Sequence, residues 1–372
     1  MHERVAIVGS GLGGLVAYAT LRHGGLEPGE IAVFGHDPDP VAAWRPRAAA
    51  IRQRRMRSES DGHCLPRAFP GLAVRDSVRR LTPVPLVLSV VDRYRPSVEL
   101  FLAHVEEVRT RTGWDSSFRP ATVERVRAVE GGFDVDGEGV FQHVLLAPGH
   151  PGYALPPALE EDPRVVHAYE PHEYADRVAV VGAGMAAATE WLNALAAGAE
   201  VVSVRRREPA RCPLNVDRTL FSKRGLAGYH ATASAERVQL LEDLSAPSYP
   251  PGRAWDLPLE RAAQEGRFTV AAELNGARQV ICATGFRRGF RHDPLLLRLA
   301  DEHELETAEG WLVLAPDATV PALSDASRTL ALAGVSAQWA YPAADTLVGM
   351  KYVARRFVHR VERCRVERWR TR

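Results

Sequence analysis

Short apolar runs, each broken by glycine and followed by an Ala-rich amphipathic stretch, set the pattern of this 372-residue chain. Val5-Ala6-Ile7-Val8 is a continuous apolar run of strand length, and residues 15–21 after it are apolar at a helical period. Residues 31–34 form the next strand-like run. The stretch beyond carries Arg45, Arg47, Arg52, Arg54, Arg55 and Arg57 with few apolar positions at either period, and reads as loop and short helix. Pro96-Ser97 then opens a helix, with Ser97 placed as N-cap and Val98, Phe101, Leu102, Val105 and Val108 on one face. Gly131-Gly132 turns between strands expected near residues 122–129 and 132–135. A buried strand over 144–146 ends at Ala147-Pro148-Gly149, and residues 151–157 read as a crossover. A second strand, glycine turn and helix begin at Arg177, with an irregular Pro-rich stretch over 244–258. Val280–Phe286 reads as a buried strand ending in a turn, and residues 329–333 as another strand. Phe357, Val361 and Cys364 mark a C-terminal helix whose basic face is solvated.

Two of these strand-to-helix turns carry the same glycine fingerprint about 170 residues apart: Gly9-Ser10-Gly11-Leu12-Gly13-Gly14 and Gly182-Ala183-Gly184-Met185-Ala186-Ala187. In the first, Gly9 permits the tight bend, Gly11 lets backbone amides approach a pyrophosphate, and Gly14 lets the helix pack close to the sheet. One such turn is a weak signal; two in one chain imply two bound dinucleotides. A carboxylate is expected about 20 residues on to hold the ribose. The strand ends instead in Gly35-His36, with Asp37 the nearest acid, so either Asp37 serves or backbone and water do. In the second turn Ala187 stands at the third glycine, and the following strand ends in Arg205-Arg206-Arg207. Three arginines where an acid would favour NAD suit the 2′-phosphate of NADPH; the alternative is a solvated loop in an Arg-biased protein.

Composition narrows the classes without changing this picture. Lys223 and Lys351 are the only lysines, leaving 45 of 47 basic residues as Arg, yet the net charge is +1. Charge therefore indicates neither a nucleic-acid nor a membrane partner. Cys64, Cys212, Cys282 and Cys364 contain no close pair, which argues against a zinc site and against a redox-active dithiol. No signal peptide fits the N-terminus and no apolar run reaches the ~20 residues of a membrane helix, so the expectation is a soluble, cytoplasmic protein.

With these features the chain resembles the two-dinucleotide-binding flavoproteins, and among them the flavin-containing, Baeyer–Villiger and amine N-hydroxylating monooxygenases of class B. The resemblance covers nearly the whole chain. Ala283-Thr284-Gly285-Phe286 matches the Ala-Thr-Gly-aromatic turn at the return to the FAD domain, and Ala147-Pro148-Gly149 is a weaker copy. Phe69-Pro70-Gly71 followed by Arg75 and Asp76 is similar to a segment lining the flavin, and Trp44 matches a tryptophan after the second strand. The chain departs from the monooxygenase fingerprint: His167 fits its histidine, but Glu161, Pro163 and Pro171 stand at its Phe, Gly and aromatic positions, with Tyr169 and Tyr174 only loose substitutes. Gly334 is followed by Val335 where related flavoproteins place a ribityl-binding Asp.

The resemblance implies an α/β fold of two Rossmann-like dinucleotide-binding domains, the NADP domain inserted into the FAD domain. Residues 1–150 and 281–372 would form the FAD domain, 177–280 the NADP domain, and 151–176 a linker. It implies cofactor contacts from Gly9, Ser10, Gly11, Leu12, Gly14, Asp37, Trp44, Thr284, Gly285, Gly334 and Asp345 to FAD. Gly182, Gly184, Met185, Ala187 and Arg205–Arg207 would serve NADPH. Asp345 reads equally as a helix N-cap without cofactor contact, and Ser58-Glu59-Ser60-Asp61-Gly62-His63 either as substrate-selecting or as a plain polar turn. Arg75 and Asp76 would lie nearest the reacting flavin edge, or form an ordinary surface ion pair. The implied reaction is oxygenation of a small molecule with dioxygen, through a flavin hydroperoxide. A reductase of the same fold and a nucleotide-binding sensor are the alternatives.

Overall fold

The computed structural model describes residues 4–56, 63–66, 71–91, 93–212, 216–244 and 246–370. Two parallel five-stranded sheets organise them. In the first, Val5–Val8 is central. Ile31–Gly35 and Phe118–Pro120 lie on one side of it, His143–Leu146 and Thr329–Leu332 on the other. Val5 faces Ile31 and His143 in register, and the three inner strands are buried along their whole length, as parallel strands covered by helices on both faces must be. In the second, Arg177–Val181 is central between Glu200–Val204 and Gln279–Cys282, with Phe268–Ala271 and Val165–His167 at the edges. The two sheets repeat one plan: fingerprint strand in the middle, ribose-side strand on one flank, return strand on the other.

Two details of the strand layout differ from the sequence pattern. Within the stretch 151–176, Val165–His167 pairs in parallel with Gln279–Cys282 and completes the second sheet. That return strand lies wholly in the second sheet through Cys282. Its Val280 and Ile281 pair with Ala179 and Val180, which fixes it there by backbone hydrogen bonds.

A third difference concerns the middle of the second unit. Helices Lys223–Ala231 and Ser234–Asp243 leave the second sheet and pack on the first domain: Leu226, Tyr229, Val238 and Leu241 belong to the same apolar core as Val5 and Phe34. The Tyr229 hydroxyl donates to the Gln338 carbonyl at 3.2 Å, and His230 Nε2 lies 2.7 Å from the Ala340 carbonyl. Within residues 177–280, these two helices thus share the first core rather than the second. The first domain reaches back in turn. Asn193 on helix Met185–Ala196 donates to the Ile51 carbonyl at 3.0 Å, and Arg52 stacks over Tyr174 at 4.8 Å.

Local signals explain several ends. Ser97 Oγ accepts from Leu100 N–H at 3.2 Å and caps Val98–Thr112, whose Phe101, Val105 and Val108 are buried. The C-terminal helix Leu347–Arg370 is capped by Thr346, whose Oγ1 accepts from Gly349 N–H at 3.1 Å; Asp345 is not the cap. Gly349 is required there, since a Cβ would run into the Ala343 carbonyl.

Candidate functional site

Both glycine turns are built the same way. The first residue of each takes a positive φ, +116° at Gly9 and +126° at Gly182, which L-residues with a Cβ disfavour. Each also lies against the return strand: a Cβ on Gly182 would sit 2.6 Å from the Ala283 carbonyl oxygen, and one on Gly9 would collide with that of Ala147. Ala147 N–H donates to Val8 at 2.7 Å and Ala283 N–H to Val181 at 2.8 Å, locking each return strand to its turn. Gly14 packs on the Gly9 carbonyl, whereas Ala187 is buried with its methyl accommodated. At the second glycine the situation reverses. A Cβ on Gly11 or Gly184 would meet nothing within 4 Å. Helices Leu12–His23 and Met185–Ala196 start there with no side-chain cap and no acid in the first turn. Their free N–H groups and positive dipole ends are aimed into open space, an arrangement suited to a pyrophosphate. Ser10, Leu12 and Met185 lie on these two turns beside the openings.

The missing strand-end acid has a steric cause. A Cβ on Gly35 would lie 2.5 Å from the Ser10 Cβ, so no side chain fits at that position. His36 and Asp37 are exposed just beyond; Asp37 Oδ1 accepts from Asp39 N–H at 2.8 Å. Trp44 opens a short helix and packs edge-on against Phe101 at 5.5 Å, partly buried against the first core.

The three arginines of the second site divide. Arg205 has an 11% exposed side chain, bonds Glu208 at 2.8 Å and stacks over Trp191 at 5.5 Å. Arg206 and Arg207 are exposed. Among the described residues, the strand end therefore presents Arg206 and Arg207 as exposed cations, with Arg205 held by Glu208 and Trp191.

Where the chain crosses between domains, the structure gathers His150 and Tyr153, which sequence patterning did not single out, around Phe286, His167 and Tyr169, which it did. His150 stacks on Phe286 at 4.0 Å, Tyr153 on His167 at 4.1 Å, and Tyr169 on Phe286 at 5.0 Å, with the Arg47 guanidinium 5.0 Å from the Phe286 ring centre. Thr284 donates its hydroxyl to the Ala154 carbonyl, tying the two crossovers together, and Gly285 takes φ +79°. Burial, with Arg47 and Arg288 adding repulsion, pushes His150 down to about 4. Burial likewise pushes His167 down to about 4 against the opposing pull of Glu170. Both rings are neutral at pH 7. The signal available in sequence was the spacing of His150 and Phe286 just after two equivalent Ala-x-Gly turns.

Arg75 and Asp76 do not pair with each other, and none of their hydrogen-bond partners lies in either glycine turn. Arg75 pairs with Glu107, while Asp76, 3% exposed, accepts from Tyr94 at 3.1 Å and from Arg80 at 2.8 Å. The bonds to Glu107 and Tyr94 tie helix Leu72–Arg80 to its surroundings, while the Asp76–Arg80 bond lies within the helix. Phe69 and Pro70 lie outside the described residues, as do residues 58–62 of the polar cluster. His63, its last member, is buried, with its ring 6.3 Å from that of His104. His104 accepts from the Cys64 N–H at 2.9 Å and is pushed down to about 4 by burial and then by Arg75. Gly334, at φ +69°, starts a short turn of 3-10 helix. Burial raises the pKa of half-buried Asp345, against the pull of Arg288.

The profile of the family described as pyridine nucleotide-disulphide oxidoreductase matches residues 3–220, more than half of the chain. No curated protein matches the sequence. Among solved structures, an ornithine N-hydroxylase from Kutzneria sp. 744, held with reduced FAD, NADP+ and L-ornithine, is similar with a TM-score of 0.73 at 15% identity. The match covers 98% of this chain and 100% of that one. L-lysine 6-monooxygenase from Pseudomonas syringae gives 0.69 at 16% identity, over 98% and 100% of the two chains. Bacillithiol disulfide reductase from Bacillus cereus gives 0.57 at 16%, over 96% and 98%. At these identities the likeness is one of fold, and it is the fold already described.

Proposed function

The chain belongs to the pyridine nucleotide-disulphide oxidoreductase family, and within that family we propose that it is an NADPH-using FAD monooxygenase acting on a small molecule with dioxygen. The observation that carries this reading is the repeated turn: two buried glycines backed by return-strand carbonyls, each followed by an unobstructed glycine at an uncapped helix start. The residues fit a dinucleotide at each turn. The first-turn N–H groups of Leu12–His23 would hold the FAD pyrophosphate, and those of Met185–Ala196 the NADPH pyrophosphate. Arg206 and Arg207 would take the 2′-phosphate. Gly35 excludes the usual strand-end carboxylate, leaving Asp37 as the nearest acid for the FAD ribose. Bound flavin supplies the redox chemistry; the chain binds, orients and keeps water out.

The thiols weigh against disulfide chemistry. Burial pushes Cys64 up to about 12 and Cys282 up to about 11, so neither is a thiolate nucleophile at neutral pH, and no disulfide joins any two of the four cysteines. Two proteins of similar fold act on ornithine and lysine, which puts primary amines first among substrates to test. The experiment supplies FAD-loaded protein with NADPH, ¹⁸O₂ and a panel of amines, ketones and sulfides. One labelled oxygen in a product is expected. NADPH consumed with all oxygen recovered as peroxide across the panel, and electrons passed instead to a disulfide or quinone, would establish the reductase alternative.

A further inference from the structure

Among the described residues, the densest exposed apolar surface belongs to a pair of helices outside the glycine turns. Of the thirteen exposed large apolar side chains among the described residues, eight fall between residues 78 and 91. Val78, Leu81, Val84, Val87, Val90 and Val91 carry most of that surface; Leu81 is 91% exposed and Val90 87%. They project from the end of Leu72–Arg80 and from Val84–Val90.

This surface is held on a fixed platform. Leu72, Ala73 and Tyr94 form a small core of their own beneath it, Pro85 is buried, and the bonds of Arg75 and Asp76 described above pin the first helix. Eight exposed large apolar side chains thus fall within fourteen consecutive residues, and dense apolar exposure of this kind marks interaction surfaces. At 100° per residue, the exposed positions between Val84 and Val91 sweep roughly 200° of the helix circumference. That arc is wider than the single stripe a helix buries against one neighbour.

Charge distinguishes the occupants. Arg79 and Arg93 are exposed beside the patch and carry no ion pair among the described residues. Arg80 is also exposed, though bonded to Asp76. A second copy seated through this face would bring like charges together. An anionic lipid surface meets both features, since acyl chains wrap a wide apolar arc and headgroup phosphates pair with the arginines. Overall charge conceals this, because screening makes the interaction local.

We propose that the helical hairpin 72–91 docks the protein on an anionic membrane surface, its apolar side chains entering among the acyl chains and Arg79 and Arg93 contacting phosphates. The attachment is one-sided, as no described helix is long and apolar enough to cross a membrane. This proposal is independent of the redox reading.

Flotation of the full-length protein with vesicles tests it, using phosphatidylcholine alone and phosphatidylcholine mixed with phosphatidylglycerol. Native protein should float with the anionic vesicles at least tenfold more than with the neutral ones. Val87→Glu combined with Val90→Glu should lose at least tenfold of that binding with an unchanged circular dichroism spectrum, because both positions are solvent-exposed. Arg79→Glu with Arg93→Glu should lose the preference for anionic lipid, and Val140→Glu, an exposed apolar site elsewhere, should float as the native protein does. Native protein that stays unbound with both vesicle types, or a Val87→Glu/Val90→Glu protein that floats like the native one, overturns the proposal. So does a native dimer that the same double substitution splits into monomers without any vesicle binding, which would make a second copy the occupant.

Discussion

The Ala283 carbonyl oxygen stands 2.6 Å from where a side chain on Gly182 would begin. Gly9 stands in the same relation to Ala147, so each nucleotide turn leans on the strand that carries the chain out of its sheet. A ligand pressing on either turn therefore presses on a crossover between the two domains. The open glycines, Gly11 and Gly184, have no such neighbour.

This separates two kinds of glycine by experiment. Gly182→Ala forces a Cβ onto a backbone carbonyl at positive φ and should cost about 1–3 kcal/mol in urea unfolding. Gly11→Val should leave the unfolding midpoint nearly unchanged, yet lower FAD retention at least tenfold, and Gly184→Val should do the same for NADPH. Equal losses of stability in all three variants would show that the openings are packing features only.

The choice of NADPH should rest on Arg206 and Arg207. Charge-assisted bonds of ~1.5–3 kcal/mol each predict that removing either raises the half-saturating NADPH concentration about tenfold or more, with NADH little affected. Arg205→Ala should do less to cofactor choice, because that side chain is held by Glu208 and Trp191. Steady-state assays with both nucleotides read the difference.

Gly35→Ala should weaken FAD binding although the residue lies outside the glycine turn itself, since the added methyl meets Ser10 on that turn. Flavin fluorescence on titration with apoprotein measures it. Binding equal to the native protein would show that Ser10 yields at no cost.

Stability should fall as the solution is acidified from about pH 6.5 to about pH 4. His104 and His167 are buried and held near 4 in the folded chain, while in the unfolded chain they titrate near 6.5. In that window the unfolded state binds more protons, so stability is full above about 6.5 and is lost as pH falls toward 4. Each histidine accounts for on the order of 1–3 kcal/mol. Urea midpoints against pH should show the slope, and His167→Phe should flatten it.

Much of the fold was legible because parallel strands write themselves as continuous apolar runs and glycine turns as fixed spacings. Val5–Val8, Arg177–Val181 and the Ser97 cap follow from such local rules. What escaped depends on long-range packing. Val165–His167 is three residues long and becomes a strand only because Gln279–Cys282 lies beside it. Helices Lys223–Ala231 and Ser234–Asp243 are amphipathic, yet nothing in their period says which domain they cover. The steric conflict of Gly35 with Ser10 joins residues 25 positions apart. Arg75 and Asp76 match a flavin-lining segment by type and order, but their bonds to Glu107 and Tyr94 join separate segments, which local pattern does not announce.

The central claim is that FAD at the first turn is reduced by NADPH bound at the second. Anaerobic titration of the FAD-loaded protein with NADPH, followed in the flavin absorption band, tests it most directly. One NADPH should bleach one flavin, and Gly184→Val should slow the bleaching severalfold or more without releasing flavin. A protein that cannot be loaded with FAD, or a bound flavin that stays oxidised under excess NADPH, would contradict the account.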